Sequence, residues 1–249
     1  MTVSSLESDH EFEFRLGRRH SWWDEDAECT LIMSQPHLDP ELWLQYLHGA
    51  ERSYRKHGVE VALQIADIRD GHDTTLFWAA VDTAGRVIGG VRAKGPLTCA
   101  EDSHAVVEWA GQPGLPAVRK MINDRAPFGV LEMKSGFVTD DADQSKGVTR
   151  VLARSAFHAM AAVDLQFCMA TSAAHVLDKW RSSGGVVASI PATPYPDPRY
   201  CTKMMWWDRR TFIKHAEPSQ VSKIFNEILS LDQALAGTRE NPLRRDTAL

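Results

Sequence analysis

The residues best placed to do chemistry lie between Phe128 and Val163. Gln144-Ser145-Lys146-Gly147-Val148-Thr149 is a short polar loop with one glycine. It opens a run with helical spacing: Val148, Leu152, Ala156, Ala159, Met160 and Val163. Such an entrance leaves the first helical N–H groups unpaired and pointing outward. Those donors and the positive end of the helix dipole face one point, where a phosphate can be held. The spacing is neither GxxxxGKS/T nor GxGxxG, so the Walker and Rossmann loops are excluded. Upstream, Glu132 is the only acid in the apolar run Val130 to Val138. A carboxylate there faces a polar slot or pairs with Arg92 or Lys134, because burying it alone is costly.

The surrounding chain must position these groups. Phe128 to Val138 reads as a strand, Thr139 to Asp143 as a polar turn, and Leu165 to Thr171 as the next strand. Before them, Cys29 to Met33 has first-strand content. Asp39-Pro40-Glu41 starts a helix, with Asp as N-cap and Pro in the first turn. Trp43, Leu47, Ala50 and Tyr54 share its face, Tyr46 lies alongside, and Gly58 stops it. That aromatic face reads as core packing, with an acyl pocket as the alternative. Leu76 to Val81 and Val87 to Arg92 form a hairpin, in which Gly89 and Gly90 imply a bulge or a close backbone approach. Val106 to Asn123 is ambiguous up to a helix over Ala117 to Ile122. Later come a helix over Ala173 to Ser183, a strand over Val186 to Ile190, a Pro-rich loop, and a strand over Arg199 to Trp207. Ser219 caps a last amphipathic helix, which covers the body or mediates a homodimer. The expected division is an arm at 1–27 on which Trp22 and Trp23 dock the chain, a domain at 28–213, the helix at 214–237, and a disordered tail at 238–249.

Composition bounds the function. The 249 residues are 43% hydrophobic and 24% charged, ordinary for a soluble globular chain. A net charge of −5 leaves no cation excess for wrapping nucleic acid. No apolar run reaches the ~20 residues of a membrane span. The acidic start (Glu7, Asp9, Glu11, Glu13) is unlike a signal peptide. Cys29, Cys99, Cys168 and Cys201 show no CxxC, and the ten histidines show neither HxH nor HExxH. Free thiols in a reducing cytoplasm, with no metal, are expected.

Gln144 to Thr149 resembles motif A of the GNAT N-acyltransferase superfamily, Gln/Arg-x-x-Gly-x-Gly/Ala directly after a strand, with Thr149 at the place of the last small residue. The element order is similar to the GNAT fold from about Glu28 to Trp207. The resemblance implies an α/β (α+β) domain whose mixed sheet is splayed between its fourth and fifth strands, Val130 to Val138 and Leu165 to Thr171. Helices lie on both faces, and an extra C-terminal helix is added. It implies that Gln144, Ser145, Lys146, Gly147, Val148 and Thr149 bind the pyrophosphate of acyl-CoA, acetyl or longer. Phe137 and Val138 hold its pantetheine arm through the backbone of a bulge, and Ser172 touches the cofactor's amide. Glu132 takes the proton of a small primary amine, and Arg92 contacts that substrate. The helical tyrosine that commonly protonates the departing thiolate is replaced by Trp180, which leaves that acid unassigned between Tyr195 and Tyr200. A weaker resemblance runs to acyl-homoserine-lactone and N-acyl amino acid synthases, through Glu132 and Val138, with Lys134, Ser135 and Gly136 at that family's Ser, Arg and Phe places, and through Gly89-Gly90-Val91-Arg92. It implies a long acyl chain from an acyl carrier protein, for which Arg150 and Arg154, four apart, offer a cationic face beside the alternative of a solvated one. A non-catalytic acyl-CoA sensor is the rival from another class.

Overall fold

The β-branched and aromatic runs pair into one sheet in the computed structural model, which describes residues 14–139 and 147–239. Its strands are β1 (His20–Asp24), β2 (Cys29–Ser34), β3 (Leu76–Asp82), β4 (Val87–Lys94), β5 (Val130–Val138), β6 (Phe167–Ala173), β7 (Val186–Val187) and β8 (Thr202–Asp208), ordered β1-β2-β3-β4-β5-β6-β8-β7. All neighbours are antiparallel except β5 and β6. A parallel pair needs a crossover, and two helices supply it.

In chain order the helices are α1 (Pro40–His57), α2 (Ile65–Ile68), α3 (His104–Glu108), α4 (Leu115–Asn123), α5 (Val148–Leu152), α6 (Ser155–Val163), α7 (Leu177–Arg181) and α8 (Pro218–Arg239). A core built from α5, α6 and α8 packs on one side of the sheet through residues such as Leu31, Trp78, Val151 and Phe157. Across the sheet, α1 packs Trp43 and Tyr46 on Phe77 and Phe137, while α3 and α4 pack Trp109, Val118 and Ile122 on Val130, Met169 and Trp206. The architecture is the mixed α/β sheet of the GNAT fold, with helices on both faces.

Helix α1 follows its sequence signals closely. Asp39 accepts from the Leu42 amide at 3.4 Å, Pro40 takes the first turn, and Gly58 closes the helix at φ 65°. Trp43 and Tyr46 are core residues, as expected, although Tyr54 is only half-buried. The glycines of β4 explain how close α1 comes. A Cβ on Gly90 would meet the Tyr46 ring at 2.5 Å and the Trp78 carbonyl at 2.7 Å. Gly90→Ala is therefore expected to destabilise the fold by about 1–3 kcal/mol, read as a lower urea midpoint at unchanged slope. An unshifted midpoint would show that Tyr46 yields freely.

Several boundaries differ from the sequence reading. The arm expected at 1–27 contains β1, which pairs with β2 along its whole length. The parted strands are consequently β5 and β6 rather than fourth and fifth. Trp22 does dock, stacking on His158 at 4.3 Å and donating to Ser230 Oγ at 2.8 Å, but Trp23 is 53% exposed. The helix expected to run unbroken to Val163 is interrupted at Ala153 and Arg154. There Arg154 N donates to Val151 O and Phe157 N to Arg154 O, both i to i−3. The strand expected at 186–190 shrinks to Val186–Val187, and the helix at 173–183 to α7 behind a 3₁₀ turn at Ala174–Val176. Ser219 is not the cap of α8. Pro218 occupies its first position, and Gln220 N and Val221 N both donate to Glu217 O. The last helix reaches Arg239, and residues 240–249 lie outside the described set.

Arg154 also overturns the cationic face read into Arg150 and Arg154. Arg150 pairs with Glu217. Arg154 is 1% exposed, 2.8 Å from Asp24 Oδ2 and from Glu227 Oε1, and it donates to Gln220 Oε1 at 3.1 Å. The group ties α6, β1 and α8 together, so α8 covers the chain's own body. Among the described residues no helix is long and apolar enough to cross a membrane.

Candidate active site

The β5–β6 ladder begins at Val130 opposite Phe167 and ends at Met133 opposite Ala170, although β5 continues to Val138 and β6 to Ala173. On its other edge β5 carries a bulge. Phe137 pairs with Gly90 and Lys134 with Arg92, which leaves Ser135 and Gly136 opposite Val91. Ser135 takes φ 54°, a conformation that bends the strand away from its neighbour. The bulge is held from α1, where Tyr46 Oη donates to Ser135 O at 3.0 Å. From β4, Arg92 Nε reaches Ser135 Oγ at 3.4 Å, and its guanidinium is fixed by Asp73 (2.8 Å) and Thr74 (3.1 Å). Between the parted strand ends lies a cleft of about 550 Å³.

At the point of the V the cleft is polar. Glu108, from the end of α3, is 6% exposed. Its Oε1 accepts from Thr171 Oγ1 at 2.9 Å and from Lys134 Nζ at 3.2 Å, while Oε2 is buried without a hydrogen-bond partner among the described residues. An oriented carboxylate with one oxygen uncommitted is what proton transfer to an incoming group requires. His104, one helical turn earlier, lies 3.0 Å from Tyr195 Oη through Nε2. Burial, and then the nearby Lys134 charge, push the imidazole down to about 4, so it is neutral near pH 7. Burial, and then Glu108, push the Tyr195 phenol up to about 12.

The lowered His104 value sets a pH dependence. In the unfolded chain the ring binds its proton near pH 6.5, and in the fold near pH 4. The unfolded state therefore binds more protons between these values. Stability is full above about pH 6.5, falls on acidification to about pH 4, and loses nothing further to this group below that, at most ~3 kcal/mol in all. His20, also lowered by burial, adds in the same direction. The share of His104 is the flattening of that slope in His104→Gln, read by urea unfolding from pH 7 to pH 4. An unchanged slope would remove the assignment.

The residues singled out from the sequence divide into three groups. Phe137, Val138, Thr149 and Ser172 line the cleft. Gly147, at φ 85° before α5, backs onto Ala27 and Asp26, and Val148 is in the core. Gln144, Ser145 and Lys146 lie outside the described residues. Glu132 and Arg92 are buried and are not part of the cleft wall. Glu132 sits where β5 is still paired to β6, opposite Met169, one pair before the last of the ladder. Its Oε2 accepts the His104 amide at 3.0 Å, so it braces the start of α3, and neither Arg92 nor Lys134 is its partner. Trp180 stands against the bulge, 3.4 Å from where a Cβ on Gly136 would be.

Glu108 was missed because it falls in the ambiguous stretch 106–123. A usable signal was there: Ser103 caps a short helix, and His104 and Glu108, four apart, are the polar residues on a turn otherwise made of Ala105, Val106 and Val107.

No family profile matches the chain. It is 56% identical over 228 residues, 91% of its length, to the uncharacterized protein Rv1356c of Mycobacterium tuberculosis, of which it spans 87%. The figures are the same for the uncharacterized protein Mb1391c of Mycobacterium bovis. Among solved structures, FeeM, an N-acyl amino acid synthase from uncultured soil microbes, superposes with TM-score 0.54 at 11% identity, over 73% of this chain and 92% of that one. A GNAT superfamily phosphinothricin acetyltransferase from Sinorhizobium meliloti superposes with TM-score 0.46 at 14% identity, over 73% and 88%.

Proposed function

The chain belongs to one family with the mycobacterial proteins Rv1356c and Mb1391c; from its GNAT-type sheet and cleft we propose that it moves an acyl group from a thioester, acyl-CoA or an acyl carrier protein, to a primary amine. The observation that carries the reading is the early end of the β5–β6 ladder. It leaves a length of backbone on β5, from the bulge to Val138, turned toward a cleft instead of toward β6. A peptide-like pantetheine arm fits such an edge, since it can complete the hydrogen bonds that β6 has abandoned.

In this reading the backbone of Phe137 and Val138 holds the arm, Ser172 contacts it from β6, and the loop 144–149 takes the pyrophosphate. The donor supplies an activated acyl carbonyl. A β5 amide N–H stabilises the negative charge that develops on the carbonyl oxygen. Glu108, held through Oε1 by Lys134 and Thr171, receives the amine's proton on Oε2, and it replaces Glu132 in that role. The nitrogen–carbon bond forms, the carbon–sulfur bond breaks with its electron pair on sulfur, and the proton shed by nitrogen returns to sulfur. Arg92 acts on the bulge rather than on the amine. The four unpaired cysteines fit a reducing cytoplasm.

Two other readings each have one observation in their favour. Trp180 beside the bulge offers no useful acid to a thiolate, which favours a non-catalytic acyl-CoA sensor. The Glu108–Lys134 pair is complementary to a zwitterion, which favours an amino acid as acceptor. The test is thermal melting with and without CoA and acyl-CoA of several chain lengths, followed by thiol release with an amine panel. Stabilisation with turnover is the expected result. Stabilisation without turnover supports the sensor, and no stabilisation by any donor ends both readings.

A further inference from the structure

The chain has four tyrosines, of which three line this cleft and the fourth packs behind its bulge. Tyr46 holds the bulge, while Tyr54, Tyr195 and Tyr200 line the wall. Two are delivered by the Pro-rich segment 191–201, which is strapped across the opening. At one end Pro191 O accepts from Trp109 Nε1 at 2.9 Å, and Thr193 Oγ1 donates to Glu108 O at 2.9 Å. At the other, Arg199 donates to Gly58 O at 3.3 Å and Tyr200 Oη to His57 O at 3.1 Å. The Tyr200 hydroxyl is thus committed to the end of α1, and that of Tyr195 to His104. What these two side chains offer the cleft is ring surface. Val59, Ala62 and Pro196 extend the same wall.

Charge narrows the acceptor further. Among the described residues that line the cleft, Glu108 is the only acid, whereas Lys134 and Lys179 bring positive charge. One carboxylate at the inner end of a ring-walled slot can receive one ammonium group. A second cation on the same molecule would meet Lys179 and find no second acid among the described lining residues, and the hydroxyls of a sugar would meet ring faces.

We propose that the acceptor is a primary monoamine carried on a flat, apolar body such as an aromatic ring, and not a polyamine, an amino sugar or a basic peptide. Tyr54, Tyr195 and Tyr200 embrace the body, and Glu108 meets the amine. The proposal rests on the acyl-transfer reading of the same cleft.

The experiment measures thiol release by the full chain with acetyl-CoA and octanoyl-CoA, against 2-phenylethylamine, benzylamine, spermidine and glucosamine. The ring amines are expected to exceed the other two by at least about tenfold in kcat/KM. Tyr54→Ala is expected to collapse the ratio of 2-phenylethylamine to methylamine turnover. Equal or better use of spermidine or glucosamine overturns the proposal. Melting in the presence of CoA and each amine separates the two readings. If no amine reacts but ring amines alone raise Tm, the slot stands and acyl transfer falls. If ring amines neither react nor raise Tm, the slot falls, whatever CoA does.

Discussion

On the acyl-transfer proposal, Glu108→Gln is expected to lower kcat for amine acylation by about 10²–10⁴-fold and to leave the Kd for CoA unchanged. The amide keeps the shape of the side chain and still offers an oxygen to Lys134 and Thr171, so the local hydrogen bonds survive. What it loses is the ability to hold a proton. In the acyl-transfer reading the donor is held by the backbone of Phe137 and Val138, whereas Glu108 bonds the side chains of Lys134 and Thr171, so donor affinity and turnover separate. Raising the pH of the assay restores part of the lost rate, because more of the amine is then neutral without help. Glu132→Gln is the matched control. Its carboxylate braces the His104 amide from a fully buried position, so its effect falls on stability. A Glu132→Gln variant that folds but loses turnover while Glu108→Gln retains it would reverse the assignment.

Arg154→Met costs the fold about 3–5 kcal/mol, because it leaves buried carboxylates without their cation. Asp24 and Glu227 are both buried around it. Lys223 still reaches Asp24 at 2.7 Å, and His158 still reaches Glu227 at 2.9 Å, so the loss is large without being total. Burial alone would raise both carboxyls, but Lys223 and Arg154 hold Asp24 below its ordinary value, and His158 and Arg154 do the same for Glu227. A depressed carboxyl contributes stability that is present above its unfolded pKa and is lost as pH falls through the folded one. In the variant these groups protonate more readily. The gap between wild type and variant therefore narrows below about pH 4. Urea unfolding at pH 7 and pH 3.5 checks both statements. A gap under about 1 kcal/mol at pH 7, the scale of a surface ion pair, would show that the network is not strongly coupled to folding.

Helix caps and periodicity were legible in the sequence because they are local. Asp39, Pro40 and Gly58 marked the ends of α1 by capping chemistry, and the alternation of Val130 to Val138 marked β5 from end to end. The paired glycines of β4 announced a close approach, with Tyr46 as the group that needed the space. The short, polar β1 carried no such signal, since an edge strand with Trp23 facing outward has little apolar alternation to read. The break at Arg154 was equally hidden: a helical period cannot show that one arginine turns inward to meet Asp24 and Glu227, which lie far away in sequence.

The sequence by itself determined most of the order of strands and helices from Cys29 onward, and the strand that borders the cleft. It could not decide which acid faces that cleft. Glu132 looked apt because it stands alone in an apolar strand, but its position along β5 falls where β6 is still bonded. The parting of the two strands begins two residues later, at Lys134, just before a bulge fixed by Tyr46 and Arg92 from other elements. Glu108 enters from α3, and Tyr195 and Tyr200 from a strap tied to α1. Which side chains meet in a cleft depends on where hydrogen-bonded pairing stops and on which distant segments pack beside it, and both are tertiary quantities.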